Sequence, residues 1–167
     1  MTLKQSLTRW LATLGLLLAL TACASTPRLV PHAFSFNGWS DGWQATVELL
    51  EYSYGDQYRE VQGKAENGYS AGVSTGVNGP MPVGDFLYVR WRLKPTGEVL
   101  EDKVDLRHRL PRDMTDQELT FVIEGRKLYV YVVTPQLVTS QNKAPLLKTW
   151  LSRYNRAYEI YPTLSQP

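Results

Sequence analysis

Disulfides, paired metal-binding histidines and membrane-length apolar runs are all missing from this chain. Among its 167 residues there is one cysteine, Cys23, so no intrachain disulfide is possible. The two histidines, His32 and His108, lie far apart, and neither sits in an H-E-x-x-H pattern. His108 also lies among arginines that would repel a cation, so no metal or other cofactor is implied. The apolar stretch Trp10–Leu20 is 11 residues long, against the roughly 20 that a spanning helix needs. Acidic residues are absent from the first 22 positions, so Lys4 and Arg9 there account for the whole formal charge of +2. From Cys23 onward the charges cancel, which argues against a nucleic-acid partner, whose phosphates need many cations. With 43% hydrophobic and 20% charged residues, the chain suits one globular domain and is too apolar for disorder.

What the N-terminus does contain is an export signal. Two positive charges in Met1–Arg9 precede an apolar core of signal-peptide length. That core ends in Leu20-Thr21-Ala22-Cys23, which resembles the bacterial lipobox. The resemblance implies diacylglyceryl transfer to the Cys23 sulfur, cleavage before Cys23 and acylation of the new N-terminus. Two or more acyl chains anchor stably where one is marginal, so the expected anchor is the acylated Cys23 in a lipid bilayer. Ala24 stands where an inner-membrane retention signal of this type would carry Asp. The resemblance therefore implies an outer-membrane lipoprotein on the periplasmic face. The expected organisation is a signal peptide over 1–22, the acylated cysteine and a short Pro-containing tether over 23–31, and one β-rich domain over 32–167.

Period-two alternation carries the fold expectation. Phe86–Leu93 places Leu87, Val89, Trp91 and Leu93 on one face and Arg90 and Arg92 on the other. A turn at Pro95-Thr96-Gly97 leads to Val99–Leu106. Leu119–Ile123 and Leu128–Val133 form a second hairpin around Glu124–Lys127. Ala45, Val47 and Leu49 suit another strand, Tyr58–Gln62 a short partner, and Phe34 and Phe36 the opening of the sheet. Gly63–Gly84 holds six of the twelve glycines without sustained periodicity and reads as a long loop. Leu147, Trp150, Leu151, Tyr154 and Tyr158, at spacings of three and four, predict an amphipathic helix over about 145–159. The expected class is mainly β, an antiparallel sheet or small β-sandwich with one C-terminal helix.

Catalytic signals are weak. Gly72-Val73-Ser74-Thr75-Gly76 matches G-x-S-x-G, followed in order by Asp102 or Asp105 and His108. That motif needs a helix after the serine, and Val77–Pro82 contains two prolines that forbid one. A hydrolase using Ser74, or Asp41 with a second carboxylate, is the least favoured reading. Two segments suit partner binding better. Trp39, Asp41 and Trp43 lie in a run with Phe34 and Phe36, and aromatic side chains beside a carboxylate make good contact surfaces. Arg107, Arg109 and Arg112 flank His108, and such forks match carboxylate or phosphate. The bland alternatives are that a tryptophan pins the turn to the core and that neighbouring aspartates pair with the arginines.

These features favour a non-catalytic, membrane-tethered binding module with a protein partner in the periplasm. The chain is similar in size, address and make-up to small immunity lipoproteins that neutralise effectors delivered by type VI secretion. A scaffold lipoprotein of an outer-membrane assembly is the alternative.

Overall fold

The computed structural model describes residues 28–56, 59–65 and 69–163. Cys23 and the export signal lie outside the described residues. The described chain forms nine strands: β1 (Leu29–Asn37), β2 (Val47–Tyr54), β3 (Gln62–Lys64), β4 (Ser74–Pro82), β5 (Phe86–Leu93), β6 (Val99–Asp105), β7 (Glu118–Glu124), β8 (Lys127–Leu137) and β9 (Asn155–Tyr161). They make a five-stranded sheet in the order β4-β1-β7-β8-β9 and a four-stranded sheet in the order β3-β2-β5-β6. Only β1 and β7 run parallel; every other pairing is antiparallel.

The two sheets pack face to face because both offer apolar side chains at alternate positions. In β1 the inward positions are the apolar Val30, Phe34 and Phe36 and the polar His32, all buried. Phe34 stacks on Tyr52 and Tyr54 of the facing sheet, with ring centroids 6.0 and 5.3 Å apart. Phe36 meets Phe121 at 4.7 Å and Tyr52 at 4.9 Å. Each such ring contributes roughly 1.5–3 kcal/mol through burial alone. One side of the assembly is closed between β6 and β9, where the Tyr161 hydroxyl donates to Asp102 at 2.6 Å.

Four expectations need correction. No helix forms over 145–159: Trp150–Arg153 is a single 3-10 turn and Asn155–Tyr161 is β9, paired with β8. Of the residues that set the helical spacing only Tyr158 lies in β9, while Tyr154 caps the 3-10 turn just before it. The open edge of β8 then decides in favour of strand, since pairing outweighs intrinsic preference. The glycine-rich stretch Gly63–Gly84 is not one loop, because it contains most of β3 and all of β4. Pro80 and Pro82 are tolerated since β4 is an edge strand. Their positions, two apart, turn the missing N–H groups away from β1 and blunt that edge. Finally, β1 begins at Leu29, so the last three residues of the expected tether belong to the sheet. Of the short partner expected over Tyr58–Gln62, Tyr58 lies outside the described residues, Arg59–Val61 is a 3-10 turn, and Gln62 opens β3.

Candidate functional site

The candidate residues divide between the two ends of β1. At its C-terminal end the chain turns sharply: Asn37 accepts from the Asp41 N–H at 3.0 Å through its carbonyl and from the Ser40 N–H at 3.0 Å through Oδ1. Gly42 completes the turn at φ +80°, a conformation that favours glycine. Trp43 then re-enters the core, 4% exposed, between Phe36 and Phe121. Its ring lies so close to Gly38 that a Cβ there would meet it at 2.8 Å. With the turn pinned in this way, Trp39 is left 62% exposed at the tip.

Asp41 ties this turn to the C-terminal segment. Its Oδ1 accepts the Trp150 N–H at 2.7 Å, at the start of a 3-10 turn where Thr149 Oγ1 accepts from Leu151 N. Burial pushes the Asp41 carboxyl up to about 6, although the Trp150 N–H and the Arg153 charge both favour its ionised form. Its Oδ2 and the Trp43 Nε1 are buried without a partner among the described residues. Trp150 packs edge-on against Tyr154, 5.7 Å between centroids, and Tyr154 is 57% exposed. The same segment exposes Leu137 and Leu146 at 63% and 75%. Four of the seven large exposed hydrophobic side chains among the described residues therefore lie on two segments joined at Asp41.

At the N-terminal end of β1 the surface is charged. Asp105 accepts from Arg107 Nε and from the Arg107 N–H, at 2.9 and 3.0 Å, and this guanidinium holds the Asp105 carboxyl far below the usual carboxylate range. Both line a pocket of about 420 Å³ with Asp56, Asp85 and Lys103 at its rim and Tyr54, Gly55, Gly84 and Phe86 deeper in. Arg112 lines a neighbouring cavity of about 360 Å³ with Arg28 and Met114, across Pro82-Val83. Arg109 turns inward instead: its Nη1 donates to the Ile160 carbonyl at 2.7 Å, and its guanidinium lies 5.4 Å from the Tyr161 ring centre.

Trp39 and Asp41 thus come together as the sequence suggests, whereas Trp43 belongs to the core. The three arginines form a separate group, of which only Arg107 and Arg112 face solvent. Ser74 opens β4 opposite Asn37, whereas Asp102 and Asp105 belong to β6 of the other sheet and His108 follows that strand. Among the described residues, no group of three or more His, Cys, Asp and Glu is gathered as metal ligands would be. Trp150 and Tyr154 have the spacing of a helix face, and the local signal against that is Thr149, a good cap placed just before a turn. Gly55 and Gly84 carried no signal at all. Comparison with family models, with curated proteins and with solved structures finds no match, so a functional reading rests on this geometry.

Proposed function

We propose that the protein is a lipid-anchored periplasmic lipoprotein of the outer membrane that acts as a non-catalytic binding module. It docks a protein partner through Trp39, Trp150 and Tyr154 around Asp41. The specific form we favour is an immunity or inhibitor protein against an effector delivered into the periplasm. The observation that carries this reading is the exposed Trp39, held by a turn whose own anchor is a different residue, Trp43. Aromatic side chains on a rigid support lose little freedom on docking and are typical interface anchors. Their position supports a protein rather than the bilayer as occupant. Nine residues of strand put this end about 27 Å from Leu29, and the chain runs from Leu29 back towards Cys23.

The test is capture of periplasmic and effector-containing extracts by the full acylated chain and by its Trp39→Ala and Tyr154→Ala variants. The expected result is one stoichiometric protein retained at high salt by the wild type, whose toxic activity is lost on binding. Each variant should weaken retention by about 10- to 100-fold, the usual scale for an interface anchor. Retention that ignores both substitutions overturns the docking surface. Recovery of envelope-assembly components alone would replace the immunity reading with a scaffold.

A further inference from the structure

The pocket at the opposite end of β1 has a rigid floor and an unsatisfied rim. Its floor is set by a hydrogen-bond chain that starts in the core. His32 Nδ1 lies 2.7 Å from the Val30 carbonyl, which only accepts, so this nitrogen carries the proton. Its Nε2 is left to accept from the Tyr54 hydroxyl at 3.0 Å. A Cβ on Gly84 would lie 2.6 Å from the Tyr54 ring, and one on Gly55 would lie 3.1 Å from Gly84 Cα. Glycine at both positions lets two backbone segments close the base of the pocket.

The rim carries both signs. Lys103 Nζ rests 4.1 Å above the Phe86 ring centre; among the described residues it makes no ion pair, and neither does the Asp85 carboxylate, which meets the Arg107 charge only at longer range. Arg107 is already committed to Asp105. The pocket's own lining sets Lys103 and Arg107 against Asp56, Asp85 and Asp105. A rim of mixed sign with an acidic excess gives no net attraction to a plain anion. It suits a ligand that itself carries both charges.

We propose that this pocket binds the phosphoethanolamine group, its phosphate on Lys103 and the free edge of Arg107 and its ammonium on Asp85. A phosphate suits a guanidinium edge beside an ammonium, and about 420 Å³ is within the range of small-ligand pockets. The group has two sources, a bilayer headgroup or a free phosphoethanolamine compound. The bilayer source rests on the anchoring reading above, since this is the end from which the chain leaves towards Cys23; the chemistry of the pocket does not.

The experiment is calorimetric titration of the full chain in detergent with phosphoethanolamine, ethanolamine, inorganic phosphate and alanine. Phosphoethanolamine should bind at least about tenfold more tightly than any of the others, because only it engages both charges. Lys103→Ala and Asp85→Asn should each weaken it by about fivefold or more, while Trp39→Ala leaves it unchanged. If Asp85→Asn fails to fold, Lys103→Met carries the comparison. Equal binding of inorganic phosphate or alanine, or no effect at Lys103, overturns the proposal. Amine-reactive labelling of Lys103 then separates the sources. Protection in phosphatidylethanolamine vesicles but not phosphatidylcholine vesicles supports the headgroup, protection by free phosphoethanolamine alone supports a soluble ligand, and protection by neither overturns the site. Absence of acyl incorporation at Cys23 would remove the anchor while leaving the titration standing.

Discussion

Where Asn37 ends β1, the surface is made by Trp39 and Tyr154, each more than half exposed. Where Leu29 begins the same strand, it is made by Lys103, Asp85 and the Asp105–Arg107 pair over a floor of glycine backbone. The core explains neither surface. Trp43 holds the aromatic turn, and the chain from His32 through Tyr54 to Gly84 holds the charged end, so Trp39 and Lys103 are additions that folding does not require. Exposed apolar area and uncompensated rim charge oppose or ignore stability, and both therefore point to contacts made with something else.

The sharpest way to break the comparison is to exchange the roles of the two tryptophans. Trp43→Ala removes a buried ring and should lower stability by about 3–5 kcal/mol, read as a shift in the urea midpoint. Trp39→Ala, four positions earlier, should leave the midpoint within about 0.5 kcal/mol of wild type. Similar losses in both would mean that Trp39 serves the fold, and the docking surface would lose its main support.

The charged end has its counterpart in Gly84→Ala. The added methyl would lie 2.6 Å from the Tyr54 ring and 2.9 Å from the Gly55 nitrogen. Backbone cannot move aside as a flexible side chain can, so the expected cost is about 1–3 kcal/mol. Ligand binding at the pocket should fall with it, whereas capture through Trp39 should persist in the folded fraction. A loss of both together would show that the two ends are coupled through β1.

How much of this is legible in sequence follows from which force decides each element. The hairpins β5–β6 and β7–β8 are readable because alternation and turn residues agree locally: Leu87, Val89 and Trp91 face the core, and Gly97 and Gly125 take positive φ at the turns. β4 is hidden because Gly76, Gly79 and the prolines erase the period, leaving Thr75, Val77 and Met81 to mark it. β9 is hidden because Tyr158 is its only member among the helix-spaced residues, and only the free edge of β8 makes it a strand. Trp39 and Asp41 are visible as a composition cluster, yet which tryptophan stays outside depends on the close approach of Trp43 to Gly38. The charged pocket is invisible, since Tyr54, Gly84 and Lys103 meet only through the pairing of β2, β5 and β6.

The finest discrimination between the two ends is by pH, because burial shifts Asp41 at one end and His32 at the other, and the two act in opposite directions. Burial pushes the Asp41 carboxyl up to about 6, above the ~3.9 of an unfolded aspartate. Between those values the folded chain holds a proton that the unfolded chain releases, so this group adds stability as pH falls through about 6. Burial lowers the His32 imidazole below its ordinary value, which is ~6.5 in an unfolded chain. Below that pH the unfolded chain takes up a proton that the folded chain refuses, and stability is lost as pH falls towards the lowered value. In the wild type the two slopes oppose each other from about pH 6 down to the lowered His32 value. Asp41→Asn keeps an oxygen for the Trp150 N–H but removes the compensating proton. The variant should match or exceed the wild type at pH 7, where it carries no desolvated charge, and lose stability more steeply on acidification. Urea midpoints for both chains at half-unit steps from pH 7 to 4 measure this. Parallel profiles would mean that Asp41 titrates in the folded chain as it does in the unfolded one, and that the turn presenting Trp39 is more open to water than its burial implies.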